Sequence, residues 1–97
     1  AKVPTKRQRL LVVEDNDINQ QVVSELLRAA GYDVALASNG LEALAALRVG
    51  GFDLVLMDCQ MPIMDGFTAA GRIRELEQRG ELPHCPRGPI PIVALTA

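Results

Sequence analysis

Acidic residues close two short apolar runs, Glu14-Asp15 after Arg9 to Val13 and Asp58 after Phe52 to Met57, and Thr96 follows a third run, Pro91 to Leu95. If those runs are parallel strands, these four polar groups converge on one rim, because the working edge of an open α/β sheet lies beyond the carboxyl ends of its strands. Taken singly, each acidic residue could equally be a solvated turn former or a cap. Taken together, carboxylates at neighbouring strand ends repel one another unless a cation neutralises them. An all-oxygen set of this kind suits Mg²⁺, which accepts one or two carboxylates, keeps several waters and leaves room for a phosphate oxygen.

The elements that must position these groups are legible as alternating patterns. Arg9 to Val13, Asp33 to Ser38, Phe52 to Met57 and Pro91 to Leu95 read as strands, the third apolar on both faces as a central parallel strand is. Ile18, Val22, Val23, Leu26 and Leu27 recur at helical spacing, which predicts a helix from about residue 17 to about residue 30, with Asn16 or Asp17 as cap and Gly31 as stop. Asn16 either lines the site beside Asp15 or only caps this helix. Leu41, Leu44, Ala45 and Leu47 predict a second helix, capped by Ser38 or Asn39 and closed by Gly50-Gly51. A third begins at Asp65-Gly66, carries Phe67, Ala70, Ile73, Arg74 and Leu76, and fades near Arg79; Gly71 inside it costs roughly 1 kcal/mol relative to Ala. From Gln78 to Pro91, Gly80, Pro83, Pro86, Gly88 and Pro89 punctuate the chain as a long loop. The order β-α-β-α-β-α-loop-β implies an α/β fold with an open parallel sheet and right-handed crossovers.

Composition narrows the function. The 97 residues, 48% hydrophobic and only 3% aromatic, suit one thin α/β domain with an aliphatic core. We assign 1–8 as an N-terminal lead and 9–97 as the domain. The net charge of −2 gives no electrostatic footprint for nucleic acid, and Lys2, Lys6, Arg7 and Arg9 read as a solvated tail. Nothing is long or apolar enough for a membrane span or signal peptide, so no membrane contact by this domain is expected. Cys59 and Cys85 make no disulfide framework, which points to the cytoplasm with both thiols reduced. His84-Cys85 falls short of a zinc ligand set, and Met57, Met61 and Met64 read as packing around the site turn.

Leu56-Met57-Asp58-Cys59-Gln60-Met61-Pro62 with Asp65-Gly66 resembles the phosphorylation-site signature of two-component receiver domains, above all those of hybrid sensor histidine kinases. Glu14-Asp15-Asn16, Asn19-Gln20, Gly31-Tyr32, Asn39-Gly40, Glu42-Ala43-Leu44 and Ala94-Leu95-Thr96-Ala97 stand where that family has them. The resemblance implies the flavodoxin-like receiver fold, with strand order 2-1-3-4 and the fifth strand and last helices absent. It also implies that Asp58 is the phosphoacceptor, that Glu14, Asp15, Asp58 and the Gln60 carbonyl hold Mg²⁺, and that the Thr96 hydroxyl bonds the phosphoryl group and switches with it. A histidine kinase or histidine phosphotransfer domain would be the donor. The family's lysine after the fifth strand would lie beyond Ala97.

Two other readings compete. A Mg²⁺-dependent phosphatase with an aspartyl nucleophile wants a second aspartate two residues on, where Gln60 stands. A pseudo-receiver that only docks partners has no need of the full set of Glu14, Asp15, Asp58 and Thr96, although the missing lysine leaves it in play. Finally, an order of 2-1-3-4 would leave Ile90 to Leu95 as an apolar edge without a gatekeeping charge, so self-association through the fourth strand is expected.

Overall fold

The computed structural model describes residues 7–59, 64–82 and 88–95. Four strands and three helices alternate along them: β1 (Arg9–Val13), α1 (Asp17–Ala29), β2 (Asp33–Ala37), α2 (Gly40–Val49), β3 (Leu54–Asp58), α3 (Gly66–Gln78) and β4 (Ile92–Leu95). Every pairing is parallel and the order is β2-β1-β3-β4. The expected α/β architecture and strand order are therefore present. The third strand differs from its sequence expectation by starting at Leu54 and including Asp58. Phe52 and Asp53 are taken up differently: the Arg9 guanidinium lies 4.6 Å from the Phe52 ring centroid, and the Arg9 backbone N–H donates to the Asp53 carboxylate at 2.8 Å.

Each helix starts where its cap predicts. Asn16 caps α1 by accepting from the Asn19 N–H, Asn39 caps α2 by accepting from Glu42, and Asp65 caps α3 by accepting from Thr68. These side chains satisfy amide groups that have no partner within the helix. At the far end of α1, Gly31 adopts φ +99°, a region L side chains avoid. The Tyr32 N–H then bonds the Leu27 carbonyl and the Gly31 N–H that of Arg28, each within 3.1 Å, which closes the helix as a Schellman motif. α3 remains helical through Gly71, whose added Cβ would meet nothing within 4 Å.

The two faces of the sheet are covered unequally. Leu11, Val13, Ala37, Val55 and Met57 pack with Ala43, Leu44 and Leu47 of α2 and Ala69, Ile73 and Leu76 of α3 into one buried cluster. α1 lies against β1 and β2, on the side to which the alternate residues Leu10 and Val12 point. The register row Leu36, Val12, Leu56, Val93 runs across that side; Val12 is fully buried, whereas Leu36 and Val93 are exposed. On α1 itself Ile18 is 73% exposed and Leu26 66%, so one half of its apolar stripe meets the sheet and the other half borders this open strip.

Truncation should separate the two environments. Ile73→Ala removes a fully buried side chain and should cost about 2–5 kcal/mol in denaturant unfolding. Ile18→Ala should change stability by no more than about 0.5 kcal/mol. Equal losses would contradict the one-sided core.

Candidate phosphoryl and metal site

The site is built by register. Val13 pairs with Met57 across β1 and β3, and Asp58 pairs with Leu95 across β3 and β4, so β3 and β4 end level and β1 stops one residue short, with Glu14 next in the chain. Glu14, Asp15 and Asp58 each bring a carboxylate oxygen to a common point, all within 4.8 Å of one another. They are graded in exposure: Glu14 is 6% exposed, Asp58 half-buried and Asp15 exposed. Burial raises the Glu14 carboxyl above its ordinary value, the Asp58 charge raises it further, and the Asn16 backbone N–H and Asn19 side chain work against both. A cluster of oxygen donors of this kind fits a hard divalent cation.

Glu14 is held on several sides. Its Oε1 accepts from the Asn16 N–H at 3.2 Å and from Asn19 Nδ2 at 3.4 Å. Its backbone N–H donates to the Ala37 carbonyl at 3.0 Å, and its carbonyl accepts from Gln20 Nε2, which also approaches Ser38 Oγ at 3.3 Å. The Ser38 N–H in turn donates to Glu42 at 2.8 Å. One chain of hydrogen bonds thus ties the β1–α1 turn to the β2–α2 turn. In the sequence, Asn19, Gln20 and Glu42 stand out only as points of resemblance. A polar Gln20 between the half-buried Val23 and the acidic turn was the signal that it faces inward.

Asn16 is the cap of α1, and through its backbone N–H it also touches Glu14. Asp65 stands apart from the acidic group: its carboxyl lies below the ordinary value because the Thr68 N–H bonds it. Gly66 has no room for a side chain, since a Cβ there would fall 2.3 Å from the Asp58 carbonyl oxygen. The helix start can therefore pack against the backbone of the acidic residue itself. Met64 packs against the core cluster and over Gly40, as expected of a packing residue. Gln60, Met61, His84, Cys85 and Thr96 lie outside the described residues, so the Gln60 carbonyl and Thr96 hydroxyl remain expectations.

Residues 10–97 match the response regulator receiver domain family. Hybrid signal transduction histidine kinase B of Dictyostelium discoideum is 46% identical over 95 residues, which are 95% of this chain and 5% of that protein. Response regulator SSK1 of Arthrobotrys oligospora is 43% identical over 83 residues, 82% of this chain and 8% of that one. The chain thus spans only a small part of the length of these relatives. Among solved structures, the co-crystal of the Saccharomyces cerevisiae histidine phosphotransfer signaling protein Ypd1 and the receiver domain of its response regulator Ssk1 aligns with a TM-score of 0.82 at 39% identity, covering 94% of this chain and 64% of that one. The receiver domain of the sensor histidine kinase PA1611 from Pseudomonas aeruginosa PAO1, which has a magnesium ion coordinated in its active-site cleft, aligns at 0.79 and 38%, covering 95% and 69%. With the family match spanning almost the whole chain and the parallel sheet carrying its acidic rim, this protein belongs to the response regulator receiver domain family of two-component signalling.

Proposed function

We propose that this receiver takes a phosphoryl group onto the Asp58 carboxylate from a phosphohistidine of a histidine kinase or histidine phosphotransfer partner. The observation that carries the reading is the convergence of Glu14, Asp15 and Asp58 within 4.8 Å at the ends of β1 and β3. Glu14, Asp15, Asp58 and the Gln60 carbonyl would hold Mg²⁺, in keeping with the magnesium bound by the PA1611 receiver. Bound there, the ion would neutralise charge on the carboxylates and on the phosphoryl oxygens.

The chain's own groups divide the remaining work. Ionised Asp58 supplies the attacking oxygen; an Oδ–P bond forms as the donor's P–N bond breaks, and the leaving imidazole takes a proton from solvent. β3 and the close packing of Gly66 fix the direction of attack, and positioning of that kind accounts for much of the acceleration of phosphoryl transfer. Thr96, the residue after β4, would donate its hydroxyl to a phosphoryl oxygen and move with it.

The covalent step has a direct readout. Acetyl phosphate or a phosphohistidine donor should label the wild type in Mg²⁺ and leave Asp58→Asn unlabelled, since an amide does not attack phosphorus as a carboxylate does. Chelation with EDTA should abolish the wild-type label. Labelling that persists in Asp58→Asn would place the acceptor elsewhere.

Glu14 gives a second test through stability. Its raised carboxyl means that below the ordinary value both folded and unfolded states are protonated there. As pH rises through the folded value, the unfolded state is already ionised while the folded state must ionise against burial, so stability falls across that window. In EDTA, Glu14→Gln should therefore match the wild type at low pH and exceed it at neutral pH. Mg²⁺ at a hundredfold excess over its Kd should stabilise the wild type by about 2.7 kcal/mol and the variant by much less. A wild type indifferent to Mg²⁺ would remove the metal from the proposal.

Self-association through β4 belongs to the same proposal. Ile92–Leu95 is the outer strand among the described residues, carries no charge, and exposes Val93, features of an edge that recruits another chain. Sedimentation should show concentration-dependent association that Val93→Lys reduces; a wild type that stays monomeric throughout would refute it.

A further inference from the structure

We propose that Arg74 and Glu77 form a positioning pair that fixes where β4 begins, and so sets its register against β3 and the direction in which the chain leaves Leu95. The consequence for phosphoryl binding rests on the phosphoryl-acceptor reading; the clamp itself does not. Arg74 Nη1 donates to Glu77 Oε1 at 2.7 Å and to the Ile90 carbonyl at 2.9 Å, while Glu77 Oε2 accepts from the Ile90 N–H at 2.8 Å. Both backbone groups of one residue are thus taken by one ion pair on α3, which offers a donor and an acceptor side by side as a neighbouring strand would.

The same helix supplies a contrast. Arg72 and Glu75 make an i,i+3 pair at 3.6 Å with both side chains more than half exposed, the kind of surface pair that contributes little. In the Arg74–Glu77 pair, Glu77 is only 18% exposed, and its two oxygens serve different partners. Ile90 is buried in the α2–α3 core cluster, so its backbone groups need partners that water supplies poorly there.

A fixed start matters to β4 more than to the other strands. It is four residues long and pairs only with β3 among the described residues. Pro91, just before it, has no N–H to offer, and the first bond of the ladder is the one from the Val55 N–H to the Pro91 carbonyl at 2.9 Å. The loop from Arg79 to Pro89 is rich in glycine and proline and does not by itself dictate a register. A slip of one residue would turn every β4 side chain to the opposite face and break the pairing of Leu95 with Asp58.

The test compares Glu77→Gln, Arg74→Ala, Arg74→Lys and Glu75→Gln in the intact polypeptide. It reads amide hydrogen exchange along β4, Mg²⁺ affinity, and the affinity of the Mg²⁺-loaded protein for beryllofluoride as a phosphoryl analogue. Glu77→Gln and Arg74→Ala should speed exchange at Ile90 to Leu95 at least tenfold while β1 stays protected. They should leave Mg²⁺ affinity within about twofold and weaken beryllofluoride on the order of tenfold, the scale of loss that small misplacements of a binding group produce. Arg74→Lys, which keeps a donor in place, should recover most of both effects, and Glu75→Gln should show neither. In a Thr96→Ala background, Glu77→Gln should weaken beryllofluoride little further. Unchanged exchange in β4, loss of protection spread evenly over the sheet, or Mg²⁺ and beryllofluoride weakening together would each overturn the proposal. A wild type that binds Mg²⁺ but no beryllofluoride would instead overturn the phosphoryl reading, and the exchange data would still decide the clamp.

Discussion

Everything at the rim depends on one constraint: β1 and β3 are adjacent parallel strands that end within one residue of each other, and the packed sheet beneath keeps their acidic ends close. Their carboxylate oxygens lie within 4.8 Å of one another, close enough for like charges to repel. Here Leu11, Val12, Val13 and Val55 are fully buried, and a close-packed interior leaves the strands no room to slide. The carboxylates are therefore held together at the rim.

The surrounding polar groups serve that constraint. Gln20 secures the backbone of Glu14 and reaches Ser38, while Asn16 and Asn19 hold its side chain. Gly66 lets α3 close on the carbonyl of Asp58 from the other side. A buried carboxylate oriented in this manner keeps its aim without a ligand, and preorganisation of this kind removes ordering costs from the binding event.

Much of this could be read from the chain because local signals and tertiary needs coincide. Asn16, Asn39 and Asp65 cap the helices their types forecast, Gly31 closes α1, and the acidic ends of two apolar runs meet as the α/β alternation requires. Where tertiary partners decide, the sequence was mute. Phe52 continues an apolar run, yet it lies before β3, with the Arg9 guanidinium 4.6 Å from its ring centroid. Ile18, Val22 and Leu26 carry the same helical period as Val23 and Leu27, and periodicity alone cannot say which half of so wide a stripe lies on the sheet. The hold of Arg74 and Glu77 on Ile90 joins residues far apart along the chain, beyond the reach of any local pattern.

The parallel pairing of β1 with β3 also bears on how the molecule comes to exist. Leu10 must meet Leu54 before the acidic rim is assembled, and contacts between such distant stretches of chain form slowly because loop closure precedes their reward. Until then Glu14 and Asp58 are far apart and their mutual repulsion is weak. On this physical argument the acidic residues are brought together only as the apolar strands meet, so collapse does not first have to overcome their repulsion.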